Sequence, residues 1–260
     1  MNTNDFYLVN VFTGDKARGN QACVVLLDDI SDSDYLLSIA ADFNLPATTF
    51  LKRTSQGFQV RWFAPMAEID LCGHGTVAAT WILCKTLKSH TKVSFDFDLG
   101  RLTGNSSGEY VAIEGERIPY EQEQIPTHVE QGFQGLAKAY YTSYNKHIVV
   151  FDDERSIQEV NVNWDALRGS DTFGYVITAP SEHYDCTSRV LLPHLPFLED
   201  QATGSAHLLV APFWSQQLGK KSIHAYQASE RGGVMRCTTE GDLVRLEAQC
   251  NVFGSGCLSS

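Results

Sequence analysis

Two short glycine-bearing segments carry the side chains of this 260-residue chain that are best suited to chemistry. Residues 72–76 read CGHGT and residues 202–206 read ATGSA, and an apolar run of helical length follows each segment. A helix that begins at such a segment presents unpaired N–H groups and the positive end of its dipole, which favours a carboxylate or a phosphate. The segments therefore predict two anion-binding helix starts. The alternative is ordinary capping, in which Thr203 or Ser205 satisfies the first turn and the glycines permit a tight turn.

Three titratable residues at these helix starts are candidates for proton transfer. His74 lies between two glycines and can give or take a proton near neutral pH. Cys72 lies where a helix start favours a thiolate, and Asp200 precedes the second start as a candidate proton acceptor. Each also has a structural interpretation: a hydrogen-bonded histidine, a small buried thiol and a charge that complements the helix dipole. His207 lies inside the second apolar run and is expected to be packed or capping rather than catalytic.

Strand and helix patterns define the elements that must position these residues. Apolar or alternating runs predict strands at 6–12, 22–27, 58–63, 92–97, 110–114, 139–143, 147–151, 172–178, 233–237 and 243–247. A helix is predicted to begin near Ser31 or Ser33 as its N-cap, with a further helical piece near Trp164. Residues 119–134 are polar and contain two prolines, which indicates a crossover between halves. Pro212 predicts a kink or an early stop in the second apolar run.

The two apolar runs indicate an internal duplication. Each run follows an acidic residue and a short glycine-bearing loop, and neither has a polar face. A helix without a polar face must be covered on all sides, so each run is predicted to be a central helix wrapped by the strands of its own half. A chance similarity between two ordinary buried helices is the alternative.

Composition restricts the partners of the chain. A net charge of −11 and a pI near 5.1 provide no basic footprint for nucleic acid or an anionic membrane. The first residues lack the basic region of a signal peptide, and no apolar run approaches the roughly 18 residues of a membrane span. A cytoplasmic protein is therefore expected. Seven cysteines without a CxxC pair are typical of reduced thiols.

Motif spacing restricts metals and cofactors. Asp70, Cys72 and His74 alternate as ligands on one strand face do, but no second ligand pair has a matching spacing, so no metal site is expected. The sequence contains no P-loop, no GxGxxG after a strand and no GxSxG elbow. Nucleotide cofactors and α/β-hydrolase chemistry are therefore disfavoured.

Several motifs together resemble the phenazine-biosynthesis PhzF-like family, whose relatives include diaminopimelate epimerase and proline racemase. The matching segments are 11–13 (VFT), 19–22 (GNQA), 63–65 (FAP), 68–74 (EIDLCGH), 199–207 (EDQATGSAH), 226–229 (YQAS) and 231–233 (RGG). They follow the family order from residue 6 to about residue 247 and so cover nearly the whole chain.

The resemblance implies an α+β fold of two pseudo-symmetric halves, each a β-roll or barrel-like sheet around a central helix. The implied halves are 1–117, completed by 248–260, and 118–247, with the site in the cleft between them. The implied activity is a proton shift without a cofactor, next to the carboxylate of a small molecule. The resemblance also implies a homodimer.

Residue by residue, the resemblance implies a site with one departure from the family pattern. Residues 44–48 (NLPAT) match the family stretch Asn-Leu-Ser-Glu-Thr, so Ala47 replaces the catalytic glutamate and cannot transfer a proton. Gln201 lies near the second cysteine of the racemases and replaces the proline of Asp-Pro-Ala-Thr-Gly, so a two-thiol racemase is not expected. The predicted catalytic residues are His74, Asp200 and Cys72, and the predicted ligand-binding residues are Gly73, Gly75, Thr76, Gly204, Ser205, Asn20 and Ala47.

Two functions stay open from the sequence. One is an isomerase or epimerase that shifts a proton on a small carboxylated metabolite. The other is a carboxylate-binding or regulatory protein that keeps the fold without turnover, because of Ala47.

Overall fold

Each of the two apolar runs forms a buried helix in its own unit, in a computed structural model that describes residues 4–259. The first unit comprises the chain up to Glu114 together with the chain from Glu247 onward, and the second is Gly115–Leu246. Among residues 4–259, no helix is long and apolar enough to cross a membrane.

The elements follow one another along the chain in this order. The first are β1 (Asp5–Val11), β2 (Asn20–Leu26), α1 (Ser33–Phe43), β3 (Thr48–Thr54), β4 (Gly57–Ala64), β5 (Ala67–Ile69), α2 (Gly73–Trp81) with a π-helical turn (Ile82–Thr86), β6 (Lys92–Phe97), β7 (Gly100–Ser107) and β8 (Tyr110–Glu116). Then come β9 (Tyr120–Glu123), α3 (Thr127–Gly132), β10 (Ala139–Ser143), β11 (Lys146–Val150), α4 (Glu154–Glu159), α5 (Trp164–Arg168), β12 (Gly174–Pro180), β13 (Cys186–Leu191), β14 (Glu199–Asp200), α6 (Gly204–Leu218), β15 (Ser222–Gln227), β16 (Gly233–Glu240), β17 (Leu243–Ala248) and β18 (Cys250–Cys257).

The sheet of the first unit surrounds α2. Strand β1 pairs antiparallel with β2 and β18, β2 pairs parallel with β3, and β3 pairs antiparallel with β4. Strand β4 continues to β5 and, in parallel, to β6, which leads through β7 to β8. Helix α2 is buried from Gly75 to Thr80 and packs against β1, β2, β3 and β7. This burial follows from the absence of a polar face.

The second unit repeats this plan around α6. Strand β10 pairs antiparallel with β9 and β11, β11 pairs parallel with β12, and β12 pairs antiparallel with β13. Strand β13 pairs with β14 and, in parallel, with β15, which pairs with β16. Helix α6 packs against β12, β15 and β16. The predicted α+β architecture, two similar halves with a sheet around a central helix, is confirmed.

The predicted early stop at Pro212 is wrong. Helix α6 continues through Pro212 to Leu218 and ends at Gly219, which has a positive φ of 63°. A proline inside a helix removes one N–H donor and leaves the carbonyl four residues earlier without its partner. That carbonyl, on Leu208, accepts the N–H of Ile118 at 3.0 Å. The bond compensates for the missing donor, so the helix is not interrupted.

The predicted N-cap of α1 is also wrong. The cap is Asp32, whose Oδ1 accepts the N–H groups of Asp34 and Tyr35 at 3.1 Å. The hydroxyls of the two predicted caps are engaged elsewhere: Ser31 donates to Asp29, and Ser33 accepts from Arg61.

The polar segment 119–134 contains regular secondary structure, which a simple crossover would not. It contains strand β9 and helix α3, and β9 pairs with β10 over Tyr120–Glu123. The strand was missed because its burial pattern is almost entirely exposed, so no apolar alternation marks it.

Candidate active site

The first helix start is held by the thiol of Cys72. Cys72 has an extended conformation and is 5% exposed, and its Sγ accepts the N–H of Gly75 at 3.4 Å. Its carbonyl accepts the N–H of Thr76 at 3.0 Å and the Thr76 hydroxyl at 2.8 Å. The predicted binding residue Thr76 is therefore fully buried and has a structural role at this turn.

The structure brings His74 and Cys72 together. The imidazole Nδ1 lies 3.4 Å from the Cys72 Sγ and the Nε2 lies 4.0 Å from it, while the histidine is only partly buried. An imidazole and a thiol at this separation can share or exchange a proton. The pair is therefore the strongest acid–base arrangement at this helix start.

Gly75 allows two buried polar groups to approach the helix start. A Cβ at this position would lie 2.5 Å from the Thr49 Oγ1 and 2.8 Å from the Trp62 Cδ1. Thr49 and Trp62 are paired across β3 and β4, so the sheet register places both side chains at this point. Within residues 4–259, the buried Thr49 Oγ1 and Trp62 Nε1 have no hydrogen-bond partner. Such groups are suited to a ligand oxygen, because a buried polar group without a partner is costly.

Asn20 and Ala47 lie on the neighbouring strands of the same unit. Asn20 begins β2 and is 1% exposed, and its Oδ1 accepts the N–H of Gln21 at 3.0 Å. Ala47 is fully buried immediately before β3, and its carbonyl accepts the N–H of Cys23 at 2.9 Å. A buried methyl group at position 47 provides no acid or base.

The second helix start has a different hydrogen-bond arrangement. Thr203 occupies the N-cap position of α6 but makes no side-chain cap bond, and its hydroxyl donates to the Asp200 Oδ2 at 2.6 Å. The buried Gln227 accepts the N–H of Thr203 at 2.8 Å and donates to the Asp200 carbonyl at 2.7 Å. Capping by Thr203 is therefore wrong as an explanation of this segment. Gly204 is buried at the first position of the helix, and Ser205 is exposed.

Gln201 secures the loop that precedes the second helix. Its side-chain Oε1 accepts the N–H of Arg231 at 3.0 Å, and its carbonyl accepts the hydroxyl of Ser229. The amide therefore fixes the loop to residues 229–231 by hydrogen bonds, where a proline ring would fix only its own backbone.

His207 is a packed residue, as expected. It is fully buried, and its Nδ1 lies 2.9 Å from the Thr203 carbonyl. Burial lowers the pKa of His207 to about 4, so the ring is neutral at physiological pH.

Lys146, at the start of β11, was missed by the sequence analysis. Its side chain is 8% exposed, and burial lowers its pKa while the Asp200 carboxylate partly offsets that effect. The available signal was a lysine at the head of the apolar run 146–151 (KHIVVF), where a strand is expected to be buried. Its burial depends on strand pairing, which the sequence does not display.

The described residues offer neither a metal-ligand cluster nor a disulfide. Residues 4–259 contain no group of three or more His, Cys, Asp or Glu side chains that could hold a metal ion. The seven cysteines are free thiols, six of them buried, and Cys257 is the exposed one.

Comparison with known proteins gives the same fold and related sequences. The family described as phenazine biosynthesis-like protein matches residues 9–259. An uncharacterized isomerase of Halalkalibacterium halodurans is 34% identical over 257 residues, with 96% of each chain covered. A PhzF-family phenazine biosynthesis protein of Enterococcus faecalis has a crystal structure with a TM-score of 0.92 at 28% identity, covering 98% of this chain and 99% of that one. A probable proline racemase from Agrobacterium radiobacter, at 10% identity and a TM-score of 0.64, covers 98% of this chain and 92% of its own and shares the fold alone.

Proposed function

Because this chain belongs to the phenazine biosynthesis-like family, we propose that it is an isomerase that shifts a proton on a small carboxylated molecule without a cofactor. The observation that carries the proposal is the 3.4 Å separation between the His74 Nδ1 and the Cys72 Sγ at the start of the buried helix α2. This pair joins a group that titrates near neutral pH to a helix N-terminus that favours negative charge.

The proposed reaction assigns one role to each group at the first helix start. The His74 imidazole takes a proton from the carbon next to the ligand carboxylate and returns it at a different position. The carbanion is stabilised by oriented N–H groups of the helix start, whose field is already in place when charge develops. The Cys72 thiol contacts the imidazole ring and is a group with which it can share a proton.

Asp200 is proposed as a second polar group of the reaction. Its carboxylate accepts the Thr203 hydroxyl, which fixes its orientation ahead of helix α6. Gly204 and Ser205 offer first-turn N–H groups that the Thr203 side chain does not cap. These groups are suited to an anionic oxygen of a ligand.

Uptake of deuterium from solvent tests the proton shift. The protein is incubated in D₂O with a panel of amino and hydroxy acids, and incorporation at the carbon next to the carboxylate is measured by mass spectrometry. The expected result is incorporation into at least one acid, lost in His74→Ala and retained in His183→Ala, since His183 is an exposed histidine. An absence of incorporation into every acid that binds would contradict the proposal.

A carboxylate-binding protein without turnover is the second candidate, and the buried methyl group of Ala47 favours it. This candidate predicts carboxylate binding in both the parent and His74→Ala, without deuterium uptake in either. The Ala47→Glu variant, assayed beside the parent on the same panel, separates the two candidates. Uptake in the variant alone identifies a chain that lost its base, and uptake in the parent excludes this candidate.

A further inference from the structure

Lys146 has an unusual environment for a lysine. At 8% exposure, it is the one residue among the Lys, Arg, Asp and Glu side chains of residues 4–259 that is buried. Lysines are almost never buried without a partner, because removing an ammonium from water is costly.

The surroundings of the ammonium, which include the charge of the Asp200 carboxylate, compensate only part of this cost. The Nζ carries three N–H donors. Within the described chain, its hydrogen-bond acceptor is the Asn145 Oδ1, at a long 3.4 Å, and the ring centroid of Phe173 lies 5.3 Å away. No carboxylate of residues 4–259 forms an ion pair with it. At least two donors of a buried cation are therefore left for something other than the protein.

Lys146 and the loop before helix α6 lie at the same end of neighbouring strands in the second sheet. Lys146 is opposite Gly174 at the start of β11 and β12. The start of β12 pairs with the end of β13, where Val190 is opposite Asp200. A Cβ on Gly174 would be in ordinary contact with the Lys146 Cγ, at 3.4 Å, and too close to the Leu192 Cδ2, at 2.9 Å, so the lysine stem lies against this strand.

A cavity opens beside the two residues that contact the ammonium. Its volume is about 510 Å³, and it is lined by Asn145 and Phe173 together with Tyr144, His147, Ser170, Asp171 and Thr172. The cavity offers space for a small molecule beside Asn145 and Phe173, the two side chains that contact the ammonium.

The internal duplication relates the strand positions of Lys146 and Gly174 to those of Ala22 and Ala47. Asp200 and Ile69 each lie four residues before the first residue of a central helix. From each of these residues, paired residues on successive strands can be followed across the sheet. In the first unit the path is Ile69, Trp62, Thr49 and Val24. In the second unit it is Asp200, Val190, Val176 and Ile148. Gly174 thus corresponds to Ala47, and Lys146 corresponds to Ala22. The second unit therefore has an ionisable group where the first has only methyl groups.

We propose that Lys146 is a ligand-binding residue of the second unit, whose ammonium binds a carboxylate oxygen of a small molecule. This inference rests on the proposed function only in the choice of a carboxylate as the ligand. The donors of the ammonium, its burial and the cavity beside Asn145 and Phe173 are independent of any reaction.

The test observes Lys146 directly in the unmodified protein. Lysine labelled with ¹³C at Cε is incorporated biosynthetically, and the Cε–Hε signal of Lys146 is assigned by its absence in Lys146→Arg or, if that variant does not fold, in Lys146→Met. Sodium acetate is titrated, with sodium chloride and acetamide as matched titrations. The exposed Lys221 is the internal control.

The expected result is a saturating shift of the Lys146 signal with acetate, with an apparent Kd at least tenfold lower than that of Lys221. Acetamide and chloride should produce no saturating shift. A Lys146 signal that follows Lys221, or that responds equally to all three additives, overturns the proposal. Because the measurement needs no turnover, saturation by acetate in a protein without deuterium uptake would separate failure of the proposed isomerase from failure of the lysine site.

Discussion

Cys72 and Thr203 have the same backbone conformation at the N-caps of the two central helices, with φ of −123° and ψ of 101° and 100°, yet only the thiol caps its helix. The Cys72 Sγ accepts a first-turn N–H, while the Thr203 hydroxyl donates to Asp200. The same backbone position is therefore used to close one helix start and to orient a carboxylate at the other. The two starts are similar in fold and different in chemistry.

The cap at Cys72 predicts a difference between two substitutions. Cys72→Ala removes the acceptor of the Gly75 N–H and should lower the free energy of unfolding by about 1 kcal/mol. Cys72→Ser restores a cap acceptor and should lose less, as measured by urea unfolding. Equal losses in the two variants would show that the thiol contributes packing rather than a cap.

Gly75 should not tolerate a methyl group. The Cβ of Gly75→Ala would overlap the Thr49 hydroxyl and the Trp62 ring, and overpacking of this kind costs about 1–3 kcal/mol. Gly169→Ala is the matched control, because Gly169 has a negative φ of −67° and its nearest contact is a carbonyl at 3.1 Å. Urea unfolding should show a clear loss in the first variant and little change in the second. A well-tolerated Gly75→Ala would mean that the helix start can move away from β3 and β4.

The central helices could be predicted from the sequence because their apolar character on every face allows one arrangement only. The uninterrupted course of α6 through Pro212 could not, since the compensating donor, Ile118, is distant along the chain. The burial of Lys146 likewise depends on its pairing with Gly174. Motifs identified both helix starts, but the partners of Cys72 and Asp200 follow from strand register and loop geometry, which local patterns do not contain.

Two substitutions at Asp200 should separate the effect of its charge from the effect of its hydrogen bond. Asp200→Asn keeps an oxygen acceptor for the Thr203 hydroxyl and removes the charge, so deuterium uptake should fall while this hydrogen bond is kept. Asp200→Ala also removes the acceptor and should lower the free energy of unfolding by about 1 kcal/mol more. If Asp200→Asn retains full uptake, the carboxylate charge has no part in the reaction and its role is structural.

His207 should make the protein less stable in mild acid. Its pKa is about 4 in the folded protein and about 6.5 when unfolded, so between these values the unfolded chain binds a proton that the folded protein does not. The free energy of unfolding should therefore fall as pH decreases from about 6.5 towards 4, by up to about 3 kcal/mol from this residue alone. His207→Gln removes the titrating ring and should flatten that part of the profile, measured by urea unfolding at a series of pH values. The exposed His183→Gln is the control and should leave the slope unchanged. An identical slope in His207→Gln and the parent would assign the acid sensitivity to other groups.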